Sequence, residues 1–223
     1  MKSKSDQEDL STVSEQSSST TQKICEAALR LFGAKGVEGT SIREIADLAQ
    51  VNPSLISYHF GGKDGLFRAL METIGRAELE VIERILKKPA DGAEFKLRLK
   101  MFFEELVDVH YRRPEFSVVM AYFFEKSDAE SLAIFNEVYM KIFNRILAFF
   151  EEAQNLGFAN PRIKSIHLTQ VVIGGIADIF RMRQCLKAIA TVDYEQEDER
   201  RALIESVYEL CVNGFVDNAP AEA

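Results

Sequence analysis

The sequence predicts an all-α protein in two parts, and three observations carry that reading. Apolar residues recur at the i, i+3, i+4, i+7 spacing of a helical face from Thr20 onward. No long stretch alternates apolar and polar residues as a half-buried strand does. Gly and Pro breakers separate most of the helical runs, dividing a short N-terminal group from a longer C-terminal one.

Residues 1–19 are polar and serine-rich, too poor in apolar surface to offset ordering entropy, and are expected to be a disordered tail. Ile24, Ala27, Ala28, Leu31 and Phe32 then make one face of a first helix, which Gly33 and Gly36 end. Short helices are expected from about Ser41 and from Asn52, and a long one over 63–88. Pro89-Ala-Asp-Gly92 breaks that pattern. A helix follows over 93–113 up to Pro114, with others at 115–126, 128–156, 163–190 and 197–216. Residues 218–223 read as a second disordered tail.

Composition narrows the class. The chain is 47% hydrophobic and 28% charged, an ordinary balance for a globular protein. It has neither a signal-peptide pattern nor an apolar run of the ~20 residues that span a bilayer, so a cytoplasmic, non-membrane protein is expected. Cys25, Cys185 and Cys211 are far apart and form no CxxC pair, and are read as reduced and mostly buried. His59, His110 and His167 are equally scattered, so neither a metal nor any other cofactor is expected. The formal charge is -8, yet residues 20–75 hold six Lys/Arg against six Asp/Glu. That neutral stretch is spared the acidic load and can approach a phosphate backbone.

Residues 40–63 are the informative segment. Ser41 and Glu44 fit a capping box, in which each side chain satisfies the other residue's backbone N–H. Ile42, Ile45, Ala46 and Ala49 make one buried face. Gln50-Val51 leaves room only for a turn. Asn52 suits the cap of the next helix, and Pro53 its first position, where no N–H is needed. Ile56 and Phe60 face inward with Val51 beneath them, and Ala46 is small enough for close helix approach. Two short helices, a tight turn and a polar outer face describe a helix-turn-helix, which presents its second helix to the major groove. Such pairs also occur in proteins that never touch DNA.

The segment TSIREIADLAQVNPSLISYHFGGKDGLFRAL resembles the signature of the tetracycline-repressor (TetR) family. The resemblance lies in Thr40 and Ser41, Ile45-Ala46, Val51, Tyr58-His59-Phe60 and Lys63, with ICEAALRLFGAKGVEGTS before them resembling the family's first helix. It implies an N-terminal DNA-binding domain over 20–66 and a helical regulatory domain over 67–217 for effector binding and dimerisation. It further implies phosphate contacts at Ser41, Tyr58, His59 and Lys63, where a helix N-terminus favours an anion near the ammonium. Arg43 matches a position that reaches a base, and Arg pairs well with guanine. Pro53, Ser54, Leu55 and Ser57 are expected near the start of the recognition helix, facing outward. Ser57 departs from the family, which commonly has an aromatic residue there. Blander readings stand beside these: Tyr58 as core, His59 as a helix-end partner, Arg43 as a solvated charge.

The C-terminal part is acidic and rich in Phe and Met, which suit either a bulky core or a pocket for an apolar or amphipathic effector. His110, Asn136 and Asp178 stand out as polar residues in apolar helices. The resemblance implies a homodimer through about 163–190 and 197–216. Gly174, Gly175 and Ala177 would allow close approach, with Ile173, Ile176, Ile179, Phe180, Leu203, Val207, Leu210, Cys211 and Phe215 as apolar surface. The partner is then double-stranded DNA bearing a near-palindrome. No GxSxG, HExxH, P-loop or dinucleotide fingerprint suggests an enzyme. The implied function is a repressor released by a small effector; an activator and a structural DNA-binding factor without effector remain open.

Overall fold

The computed structural model describes residues 4–125 and 128–213, and every regular element among them is helical. In order these are α1 (Lys4–Lys35), α2 (Ile42–Ala49), α3 (Pro53–Phe60), α4 (Lys63–Ile85), α5 (Gly92–Arg112), α6 (Phe116–Glu125), α7 (Ala129–Ile134), a π-helical turn (Phe135–Tyr139), α8 (Met140–Asn155), α9 (Ser165–Arg181), α10 (Arg183–Ala190) and α11 (Glu197–Val212). None among the described residues is long and apolar enough to cross a membrane. Phe215 and the 218–223 tail lie outside the described residues.

The chain forms two compact units. The first holds residues 1–74 and 118–134, so it extends past the expected boundary at 66 and takes in a later segment. The reason is continuous apolar burial along α4: Leu66, Phe67, Leu70, Met71 and Ile74 are all buried, and the helix runs through position 66 unbroken. Phe67 meets Phe32 of α1 at 5.9 Å, and Tyr122 of α6 edge-on at 5.3 Å. Arg68 of α4 pairs with Glu130 of α7 at 2.6 Å. α1 starts at Lys4, where a disordered tail over 1–19 is expected. Neither Gly nor Pro occurs before Gly33, so nothing in the chain stops the helix from extending backward from the packed residues Ile24, Ala27, Ala28 and Phe32.

The second unit, residues 75–117 and 135–223, is built on Leu86, Phe102, Phe103, Phe149 and Phe180. The phenylalanines that suited either a core or a pocket are therefore largely core. Two expected helices are interrupted. The run 128–156 contains the π turn, which brings Val138 and Tyr139 inward against Gly75. A Cβ at Gly75 would lie 2.7 Å from Val138 Cγ1 and 2.9 Å from Tyr139 Cζ, so that approach requires glycine. The run 163–190 breaks at Met182, where the Arg183 guanidinium donates to the carbonyls of Phe180 at 3.0 Å and Pro114 at 3.3 Å.

Several residues assigned to a dimer face pack inward instead. Ile176 and Phe180 are core, and Ile173, Ile179, Leu203, Val207 and Cys211 lie partly buried against it. The apolar stripes of α9 and α11 thus serve their own unit first. The three thiols are free; Cys25 and Cys211 are half-buried, whereas Cys185 is exposed because no residue of α10 is buried. Asn136 is exposed, and Asp178 pairs with Arg181 on its own helix.

His110 is a buried, satisfied core residue. Its Nδ1 lies 2.8 Å from the Leu106 carbonyl, and its ring packs against Phe116 and Phe180. Burial holds its pKa below the ordinary 6.5, opposed by the bond to Leu106. The folded state therefore favours neutral imidazole. Its stabilising effect is present above pH 6.5 and is lost as pH falls toward the lowered folded value. Chemical denaturation across that range should show wild-type stability dropping on the acid side, and a His110→Gln variant should show a shallower drop.

Candidate nucleic-acid interface

α2 and α3 are each held by their own sequence. The Ser41 hydroxyl accepts from the Glu44 N–H at 3.2 Å, and the Ser41 N–H donates to Glu44 Oε2 at 2.9 Å, completing the capping box. Lys35 of α1 adds a 2.6 Å ion pair to the same carboxylate. These partners, Lys35 foremost and then Ser41, lower the Glu44 pKa to about 2. α2 ends at Gln50, whose φ of 57° places it in the left-handed region. The next N–H, from Val51, donates to the Ala46 carbonyl at 3.0 Å. Asn52 caps α3, accepting from the Ser54 N–H at 2.9 Å, with Pro53 in the first turn. Gly61, at φ 73°, closes α3 and leads into α4.

Ile45, Ala46 and Ile56 are fully buried, so the two helices are fixed by contacts that leave the outer side of α3 free. Of the seven residues expected to face inward, Ile45, Ala46, Ala49 and Ile56 are buried, while Ile42, Val51 and Phe60 are half-buried. The inward anchor of α3 is Ile56.

The expected contact residues divide by environment. Pro53, Ser54, Ser57 and Tyr58 are exposed on α3, as is Arg43 on α2. Tyr58 is 82% exposed, which removes the core reading of that ring. His59 and Leu55 are half-buried, and the His59 ring lies edge-on to Tyr58 at 5.0 Å. The hydroxyls of Ser41 and Ser54 are engaged in the caps, donating to Glu44 and Asn52 at 2.8 Å each. Lys63 does not extend into solvent: its ammonium donates to the Val37 carbonyl at 2.9 Å and stands 3.7 Å from Glu38. Lys35, Glu38 and Tyr122 shape this face and escape sequence reasoning, since their partners lie 9, 25 and 84 residues away along the chain. No motif spacing reports such pairs.

Comparison with known proteins agrees with this geometry. Residues 24–70 match the family model of bacterial regulatory proteins, tetR family. The chain is 37% identical over 95 residues to a probable HTH-type transcriptional regulator, YttP, of Bacillus subtilis, covering 43% of this chain and 46% of that one. It is 33% identical over 107 residues to the HTH-type transcriptional repressor NicS of Pseudomonas putida, covering 48% and 49%. The matches thus span about half the length of these relatives. Among solved structures, the transcriptional regulator FadR of Bacillus subtilis, in complex with stearoyl-CoA, superposes with a TM-score of 0.69 at 19% identity, covering 87% of this chain and 99% of that one. The regulator PfmR of Thermus thermophilus gives 0.69 at 18% identity, covering 87% and 96%. These two are likenesses of fold.

Because the Ser41 hydroxyl satisfies an otherwise orphaned helix donor, Ser41→Ala should cost about 1 kcal/mol, read from thermal or denaturant unfolding. Asp at that position should recover most of the loss.

Proposed function

We propose that this chain, whose residues 24–70 match the tetR family model, is a DNA-binding transcriptional regulator of the TetR family working in the cytoplasm, a repressor that leaves a palindromic operator when a small amphipathic effector binds. The observation that carries the reading is α3 itself: anchored by Ile56, capped at both ends, and presenting Ser54, Ser57 and Tyr58 outward as a helix must to enter a major groove. Tyr58, His59 and Lys63 serve the phosphate backbone, and Arg43 reaches a base edge.

The operator symmetry follows from a homodimer through α9 and α11. Val171 is 67% exposed and Leu210 53% exposed, and the space beside Gly174 and Gly175 is open. These positions, rather than the inward Ile176 and Phe180, supply the surface for a partner copy. The candidate effector site is a cleft in the second unit. This cleft of about 770 Å³ has Ile85, Met101, Val107 and Ile204 among charged residues of α4, α5 and α11. A lining of nine charged and four apolar residues suits an amphipathic molecule better than a wholly apolar one. The solved FadR structure, whose ligand is stearoyl-CoA, supports the same class. Binding there releases DNA only if the effector prefers the DNA-free state.

Selection of bound duplexes from a random pool at two salt concentrations tests the reading, and a near-palindromic consensus is expected. Lys63→Ala should weaken binding to all sequences and flatten the salt dependence by about one unit. Arg43→Ala should instead relax the preference at one base pair in each half-site, costing about 1–3 kcal/mol of discrimination there. An unchanged consensus with Arg43→Ala would return that side chain to the solvated surface.

A further inference from the structure

We propose that Glu38 is a counter-charge that restrains Lys63 from the phosphate backbone, with Tyr122 fixing Glu38 in that position. The inference rests on the reading of Lys63 as a phosphate contact.

The Lys63 side chain is only 24% exposed and its ammonium is already engaged, by the Val37 carbonyl and by Glu38 Oε2. The other carboxylate oxygen of Glu38, Oε1, accepts the Tyr122 hydroxyl. Neither neighbour is loosely placed. The Tyr122 ring stands edge-on to Phe67, which is fully buried. The loop carrying Glu38 is closed by Thr40, itself buried, whose hydroxyl donates to the Gly36 carbonyl at 2.8 Å. A carboxylate is therefore held between a cation and a hydroxyl on a loop with little freedom.

The Glu38 side chain is 76% exposed, so its attraction for Lys63 is screened by water and weak enough for a phosphate to displace it. Displacement breaks the Lys63–Glu38 pairing, and that cost opposes binding. That opposition is the same for every sequence, since phosphates carry no sequence information. Glu38 thus lowers affinity for all DNA through Lys63 and leaves recognition more dependent on base contacts. Tyr122 belongs to α6, so a rearrangement of that helix that withdraws the hydroxyl would loosen the restraint.

The test measures binding of the chain to a selected operator and to a random duplex across a salt series by fluorescence anisotropy. Glu38→Gln keeps an oxygen for the Tyr122 hydroxyl and removes the charge. It should tighten both duplexes by ~2- to 5-fold, and steepen the salt dependence by up to about one unit. Combined with Lys63→Ala, the gain should vanish. Tyr122→Phe should give a smaller gain, absent in the Glu38→Gln background. Equal unfolding midpoints of the single variants establish that the fold is intact. No gain from Glu38→Gln, or a gain undiminished with Lys63→Ala, overturns the proposal; the second result would mean plain repulsion between Glu38 and DNA. A wild-type chain that binds neither duplex at low salt refutes the DNA-binding reading itself, and this inference with it.

Discussion

The close packing of α2 on α3 is the constraint on which the candidate interface depends. Ala46 carries no side chain beyond Cβ, and together with Ile45 and Ile56 it loses all contact with solvent. A larger residue at 46 would push the helices apart and force off-rotamer packing, costing roughly 1–3 kcal/mol. It would also change the direction in which α3 presents Ser57 and Tyr58. Eight residues make too short a helix to be stable alone, so α3 exists because its inner side is anchored and its ends are capped. The outer face is thereby relieved of any structural duty, and its composition is free to follow a ligand.

Polar groups at the interface are less free than their residue types suggest. Ser41, Ser54 and Lys63 are all candidates for DNA contact, and each spends a donor within the protein. The caps are local: Ser41 and Ser54 satisfy neighbours three and two residues away. Lys63 reaches 26 residues back to Val37 and so ties the start of α4 to the exit of α1. An ammonium has three donors, and one carbonyl occupies one of them, so anchoring and anion binding are compatible in the same side chain. Tyr58 is the opposite case. At 82% exposure its ring contributes little to the fold, and a large aromatic on this open helix face is best explained by what it meets from outside.

What is legible in the sequence is local. Ser41 with Glu44 and Asn52 with Pro53 specify their own geometry within four residues, and both caps form as the residue pattern requires. Helical periodicity locates the other elements, because 3.6-residue spacing survives without knowledge of the partner face. Non-local events are not legible. The π turn at Phe135–Tyr139 has no breaker in it; it answers to Gly75, much earlier in the chain. At the break after Met182, Arg183 reaches the Pro114 carbonyl, 69 residues back. Apolar stripes on α9 and α11 cannot reveal whether they face their own core or a second copy, since the chemistry of the two surfaces is the same. The tail from Lys4 illustrates the converse limit: low apolar content argues against packing, yet it does not forbid backbone helix where no residue breaks it.

The charge distribution gives these details a common sense. A chain with a formal charge of -8 repels a polyanion at long range, so net attraction has to come from a small region at short range. Residues 20–75 are balanced, which makes individual pairings decisive there. Lys35 neutralises Glu44, and the bond from Tyr122 to Glu38 leaves that carboxylate partly satisfied while it still faces Lys63. Arg43 is exposed on α2. With so few cations available, the proposed DNA binding would not draw most of its affinity from counterion release, as a strongly basic domain does. In the proposed DNA-binding role, a greater share would come from the fit of α3 in the groove, and weak backbone attraction would favour discrimination between sites over retention on any site.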